Sequence, residues 1–221
     1  MTEIPINKDP REEKLRIASD IRERLASLKL YAVNLISAPG SGKTTLLEKL
    51  LPVLSSRFRL AVIEADTATR NDADRLEAAG LAVEMIANAI TGCHISPQAG
   101  KAAFDNLDLP SLDLIVIENV GNLVCPAGID LGEDDKIVMV SVAEGEDKPL
   151  KYPLIFRNSS LALINKIDAA EALGTNVDLL ERNIRAVNPA IDIMRMSART
   201  GESLDRVGEW IVSRLESKRA L

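Results

Sequence analysis

Histidine and cysteine are scarce in this 221-residue chain, which has one histidine, His94, and two cysteines, Cys93 and Cys125. So few cysteines exclude a disulfide framework as the source of stability. Long apolar runs are missing as well. The longest, such as residues 112–117, itself interrupted by Asp113, fall far short of the ~20 apolar residues that a membrane-crossing helix needs. Residues 1–20 are charged throughout and hold no apolar signal-peptide core. No basic stretch is long enough to follow a phosphate backbone, and the net charge is −6, so nucleic acid is not an expected partner. No repeat or low-complexity segment is visible. The expectation is a cytoplasmic protein with reduced thiols and no membrane contact.

The chain has an ordinary globular balance, 46% hydrophobic and 27% charged. After a tail over residues 1–9, Leu15, Ala18, Ile21, Leu25 and Leu28 recur three or four apart, predicting one apolar face of a helix over residues 10–29. Such a face suits packing on the same chain, or docking a partner. From residue 31 short apolar runs alternate with helical patterns. Strands are expected at 32–37, 60–63, 83–86, 112–118, 136–142, 161–164 and 191–194. Helices are expected at 44–54, 71–79, 98–107, 177–187 and 204–215. That alternation predicts an α/β fold, a mostly parallel sheet with helices on both faces. Residues 1–30 then form a tail and amphipathic helix, and 31–221 one domain.

The first strand runs into Ser37-Ala38-Pro39-Gly40-Ser41-Gly42-Lys43-Thr44, a P-loop pattern between strand and helix. Gly40, Ser41 and Gly42 turn the backbone so that N–H groups point at phosphates, and the next helix aims its positive end there. Lys43 can reach the β- and γ-phosphates, the Thr44 hydroxyl can bind Mg²⁺, and Thr45 follows at the same site. Ser37 stands where the pattern usually has glycine, a substitution tolerated if its φ is negative. Asp66, beyond the second strand, and Glu118, ending the strand over 112–118, are the expected acids for Mg²⁺ and water. Asp72 and Asp74 compete with Asp66 for that role. Lys43, Asp66 and Glu118 are the expected catalytic residues.

Asn165-Lys166-Ile167-Asp168 follows another apolar run and suits guanine. Guanine offers a ring N1–H and an exocyclic amine that one carboxylate, Asp168, accepts together. Adenine would leave that carboxylate partly unpaired, which a buried polar site penalises strongly. The Lys166 stem can lie along the base. Ser197-Ala198-Arg199 comes later, where a backbone N–H can meet the guanine O6. Together these patterns predict binding and hydrolysis of GTP to GDP.

Cys93 and His94 are adjacent, and Cys125 follows the acid-bearing strand. Thiolate and imidazole suit Zn²⁺ and Ni²⁺. Three ligands are one short of a closed tetrahedral site, and a twofold dimer would pool more. Two cysteines can equally be small buried hydrophobes.

The run Ile117-Glu118-Asn119-Val120-Gly121-Asn122-Leu123-Val124-Cys125-Pro126 closely resembles the HypB family of hydrogenase-maturation GTPases. So do the P-loop octet, Asn71-Asp72-Ala73, Gly92-Cys93-His94, and the segment from Glu144 through Lys148-Pro149-Leu150-Lys151-Tyr152-Pro153. The resemblance covers about residues 31–215. It implies a P-loop NTPase of the SIMIBI-type G-domain class, acting in nickel insertion into [NiFe]-hydrogenase; the alternative readings are an accessory GTPase for another nickel or cobalamin enzyme, or a metal-binding dimerisation module switched by nucleotide. It also implies a homodimer promoted by GTP, metal on Cys93, His94 and Cys125, and the hydrogenase large subunit and other maturation factors as partners. Two departures stand out. The family commonly has Asp two residues after the histidine, where this chain has Ser96 and then Pro97. It also has Thr-Gly-Lys where this chain reads Ala89-Ile90-Thr91. A cysteine-rich N-terminal motif and a His-rich stretch are missing, so nickel storage is not expected.

Overall fold

The computed structural model describes residues 10–65, 70–86 and 92–220. The tail over residues 1–9, Asp66 and the Ala89-Ile90-Thr91 departure lie outside the described residues.

The chain runs through α1 (Pro10–Ser27), β1 (Tyr31–Ser37), α2 (Lys43–Ser55), β2 (Leu60–Glu64), α3 (Asn71–Ala78), β3 (Ala82–Met85), α4 (Pro97–Asn106) and β4 (Leu114–Glu118). It continues through β5 (Asp135–Ser141), α5 (Lys148–Lys151), α6 (Pro153–Arg157), β6 (Leu161–Asn165), α7 (Ala170–Leu173), α8 (Val177–Val187), β7 (Asp192–Arg195) and α9 (Leu204–Ala220). Among the described residues the strands form one seven-stranded sheet, ordered β3-β2-β4-β1-β5-β6-β7, and every pairing is parallel. The expected strands fall where their apolar runs lie, because β1, β2, β4 and β6 are buried along their whole length. Helices cover both faces, which is why those strands read as continuous apolar runs and not as alternation.

β1 has three strands on either side, so the loop leaving it opens at the centre of the carboxyl edge, where such sheets bind ligands. On one face Leu46, Leu50 and Leu54 of α2 pack with Val207, Ile211 and Leu215 of α9. On the other, α1 and α4 share a cluster with Ile63, Ile115 and Ile117, while α6 and α8 cover β5 and β6.

Three expectations need correction. The buried stripe of α1 is Ile17, Ala18, Ile21 and Leu25, whereas Leu15 is 65% exposed and Leu28 lies at the surface. The three-and-four spacing admits both stripes, and contact with α4 and the sheet selects the one containing Ile17. The short helices α5, α6 and α7 were not expected, since four or five residues carry no readable period. α9 also runs beyond the expected residue 215 to Ala220.

Candidate functional site

Gly42 sits at φ +104°, and a Cβ there would come 2.6 Å from Asn165 Nδ2. No other residue fits, because the P-loop backbone and the Asn165 amide touch at this point. Asn165 Nδ2 donates to the Ser41 carbonyl at 2.7 Å, and Asn165 Oδ1 accepts from the Ala198 N–H at 2.9 Å. Asn165 thus clasps the P-loop to the Ser-Ala turn. Of the backbone N–H groups of Ser197-Ala198-Arg199, one of which was expected to meet guanine O6, that of Ala198 donates to Asn165. Lys166, itself at φ +64°, crosses the P-loop and donates to the Gly40 carbonyl at 2.7 Å. Ser37 closes β1 and is not among the residues of positive φ, so it fits the position usually held by glycine.

Beside the P-loop lies a cavity of about 390 Å³ lined by Gly40, Lys43, Glu64, Asp72, Gly92 and Glu118, among others. Lys43 Nζ donates to Ser37 Oγ at 3.1 Å, and Thr44 Oγ1 donates to Glu118 Oε1 at 2.7 Å. Burial lowers the Lys43 pKa against the pull of Glu118. Burial raises the Glu118 carboxyl to about 7, although Lys43 and the Thr44 hydroxyl oppose the shift. Glu118 Oε2 is buried and accepts no hydrogen bond. An oxygen-only donor pair with one buried acceptor unused fits a small hard cation such as Mg²⁺. Glu64, the last residue of β2, stands beside Glu118 in register on β4, a strand-end acid that no local motif marks. Asp72 reaches this cavity from the start of α3.

At the Asn165–Asp168 segment, a cavity of about 430 Å³ is lined by Gly42, Thr45, Asn165, Lys166, Asp168 and Ala198, among others. Ser197 Oγ donates to Asp168 Oδ1 at 2.5 Å. Arg199 donates to Oδ2 from Nε at 3.0 Å and from Nη2 at 2.5 Å. The Ser197 hydroxyl, and then Arg199, hold the Asp168 carboxyl below its ordinary range.

The soft donors also converge. Cys93 Sγ lies 3.3 Å from His94 Nδ1, and the ligand atoms of Cys93, His94 and Cys125 all fall within 4.8 Å of one another. Hydrogen bonding with Cys125, then burial, raises the Cys93 thiol, while burial and the Lys14 charge lower His94. Two thiols and an imidazole suit a soft or borderline divalent metal. Ser96, which stands in place of the family's Asp, caps α4 by accepting from the Ala99 N–H at 3.1 Å.

Two links were not legible beforehand. Asn122 Nδ2 donates to the Cys93 carbonyl at 3.1 Å, joining the loop after β4 to the Cys-His segment. Ser41 Oγ lies 2.7 Å from Glu144 Oε1, joining the P-loop to the segment that opens at Glu144. Neither carries a local pattern, since the partners stand 29 and 103 residues apart.

The family model described as CobW/HypB/UreG, nucleotide-binding domain, matches residues 31–195. The chain is 44% identical to the hydrogenase maturation factor HypB of Azotobacter chroococcum over 94% of its own length, and spans 67% of that relative. It resembles the crystal structure of HypB from Helicobacter pylori in complex with nickel, with a TM-score of 0.86 and 35% identity over 93% of this chain and 96% of the other. The signal recognition particle 54 kDa protein of Aeropyrum pernix, with GDP, shares the fold alone. Its TM-score is 0.59 at 16% identity, over 99% of this chain and 57% of the other. No helix among the described residues is long and apolar enough to cross a membrane.

Proposed function

The chain belongs to the CobW/HypB/UreG family, on its HypB branch, and from that premise we propose that it is a GTP-hydrolysing metallochaperone that assists nickel insertion into [NiFe]-hydrogenase. GTP sits with its phosphates over Gly40–Thr45 and its base on Asp168. Lys43 holds the β- and γ-phosphates, while Thr44 and Glu118, with Asp66, hold Mg²⁺. When bound, the ion neutralises charge on the phosphate oxygens. Lys43 adds a fixed cation in a buried setting, where its pull on phosphate is strongest. Nickel, or zinc, is cargo on Cys93, His94 and Cys125. The homodimer favoured by GTP pools these ligands, and hydrolysis releases the arrangement toward the hydrogenase large subunit and other maturation factors.

One observation carries this reading. The loop from Glu118 to Cys125 touches both sites: Glu118 bonds Thr44, Gly121 lies on Pro39, and Asn122 bonds the Cys93 carbonyl. A loop ordered by the γ-phosphate would therefore move Cys125. Reciprocity requires that metal shift nucleotide affinity by the same factor that nucleotide shifts metal affinity.

The test titrates Ni²⁺ and Zn²⁺ in GDP and in a non-hydrolysable GTP analogue, and repeats both with Cys125→Ala. Tighter metal binding and dimerisation in one nucleotide state, lost in the variant, is the expected result. Equal binding in both states removes the coupling, and wild-type metal affinity in Cys125→Ala removes the ligand assignment.

A further inference from the structure

Arg199 occupies the part of Asp168 that a guanine base needs. A carboxylate offers two lone-pair positions on each oxygen. On Oδ2 both are taken by Arg199, through Nε at 3.0 Å and Nη2 at 2.5 Å. On Oδ1 one is taken by Ser197 Oγ, so a single position stays open there. Guanine presents N1–H and its amine side by side, one for each oxygen. The base can thus meet Oδ1 with Ser197 in place, but it reaches Oδ2 only when Arg199 leaves.

The two donors differ in freedom. Ser197 is wholly buried, and its carbonyl and hydroxyl accept from the Gly201 and Thr200 N–H groups, so it stays. The Arg199 side chain is 78% exposed against 13% for Asp168. Its carbonyl accepts from Lys49 Nζ at 2.5 Å, which ties the turn to α2. Release is therefore a side-chain rotation into solvent, with the turn unmoved.

We propose that Arg199 is a latch on the guanine site, whose guanidinium competes with the base for Asp168 and sets the rate and affinity of guanine-nucleotide entry. This rests on the guanine reading of Asp168. Only the fraction of molecules with Arg199 swung away accepts the base, so apparent affinity falls by that fraction. An exposed ion pair is weak and screened by salt, so the latch holds back entry by about two- to fivefold and loosens as ionic strength rises. One guanine donor takes the open position on Oδ1 and the other takes Oδ2 from Arg199, whereas a base with one donor leaves Oδ2 short.

The experiment follows fluorescently labelled GDP by stopped flow and equilibrium titration, at low and high salt, in the full chain. Arg199→Ala should bind GDP about two- to fivefold faster and more tightly at low salt, the gap closing at high salt. Arg199→Lys, with a point charge in place of the fork, should fall between. In an Asp168→Asn background, read with xanthosine diphosphate, Arg199→Ala should change nothing, because the carboxylate it grips is gone. GDP binding that is unchanged or weaker in Arg199→Ala, with Asp168→Asn still switching to the xanthine nucleotide, overturns the latch and leaves the guanine site standing. Failure of Asp168→Asn to take the xanthine nucleotide overturns both.

Discussion

Gly121 lies on Pro39, so close that a Cβ on Gly121 would stand 2.9 Å from the Pro39 Cα and 3.0 Å from its nitrogen. The loop that leaves β4 toward Cys125 thus rests directly on the P-loop backbone.

Gly121→Ala should force these two loops apart, since the atoms in the way are backbone and cannot rotate aside. Overpacking of this kind costs about 1–3 kcal/mol. Reduced GTP affinity and a weaker dependence of metal binding on nucleotide are both expected, read by titration with and without nucleotide. A variant that keeps wild-type coupling shows that the contact transmits nothing.

Lys43→Ala and Glu118→Ala should both depress GTP turnover, by different routes. Lys43→Ala removes a buried cation from the phosphates and should weaken GDP binding too. Glu118→Ala should act mainly on turnover, because its oxygens face the Thr44 hydroxyl and not the base. Steady-state hydrolysis and GDP titration separate the two, and equal hydrolysis by wild type and both variants excludes the roles assigned to them. Intrinsic turnover should be slow, as in other GTPases without a supplied arginine.

Burial raises the Glu118 carboxyl to about 7, above the ordinary 4.5 that it regains on unfolding. The folded protein therefore holds this proton more tightly than the unfolded chain does. That contribution to stability is fully present below about 4.5 and is lost as pH rises through 7. Without nucleotide or Mg²⁺, Glu118→Gln should match wild type at about pH 4 and melt higher above pH 7.5. The gap is of order 3 kcal/mol at most. Thermal melts across this range check the sign, and a gap that widens toward acid contradicts it.

The phase of α1 predicts unequal costs along one helix. Leu25 is fully buried against α4 and the sheet, so Leu25→Ala should cost about 2–5 kcal/mol. Leu15 is 65% exposed, and Leu15→Ala should stay within about 0.5 kcal/mol. Denaturant melts of both variants test the assignment, and equal losses would restore the stripe expected from spacing alone.

The sequence by itself determined the α/β alternation, the parallel sheet, the P-loop turn at Gly40 and Gly42, and the family. It could do so because these depend on order along the chain. An apolar run becomes a buried strand, and a glycine is favoured where the backbone takes a positive φ or closes onto Asn165. Tertiary structure decided what depends on neighbours distant in sequence. It chose the stripe of α1 that contains Ile17, because α4 and β1 meet that side. It brought Cys125 to Cys93 and His94, set Gly121 on Pro39, and put Arg199 onto Asp168. Periodicity constrains a residue against those three or four positions away, while these contacts span from 31 to 82 residues and are set only when the sheet orders its loops.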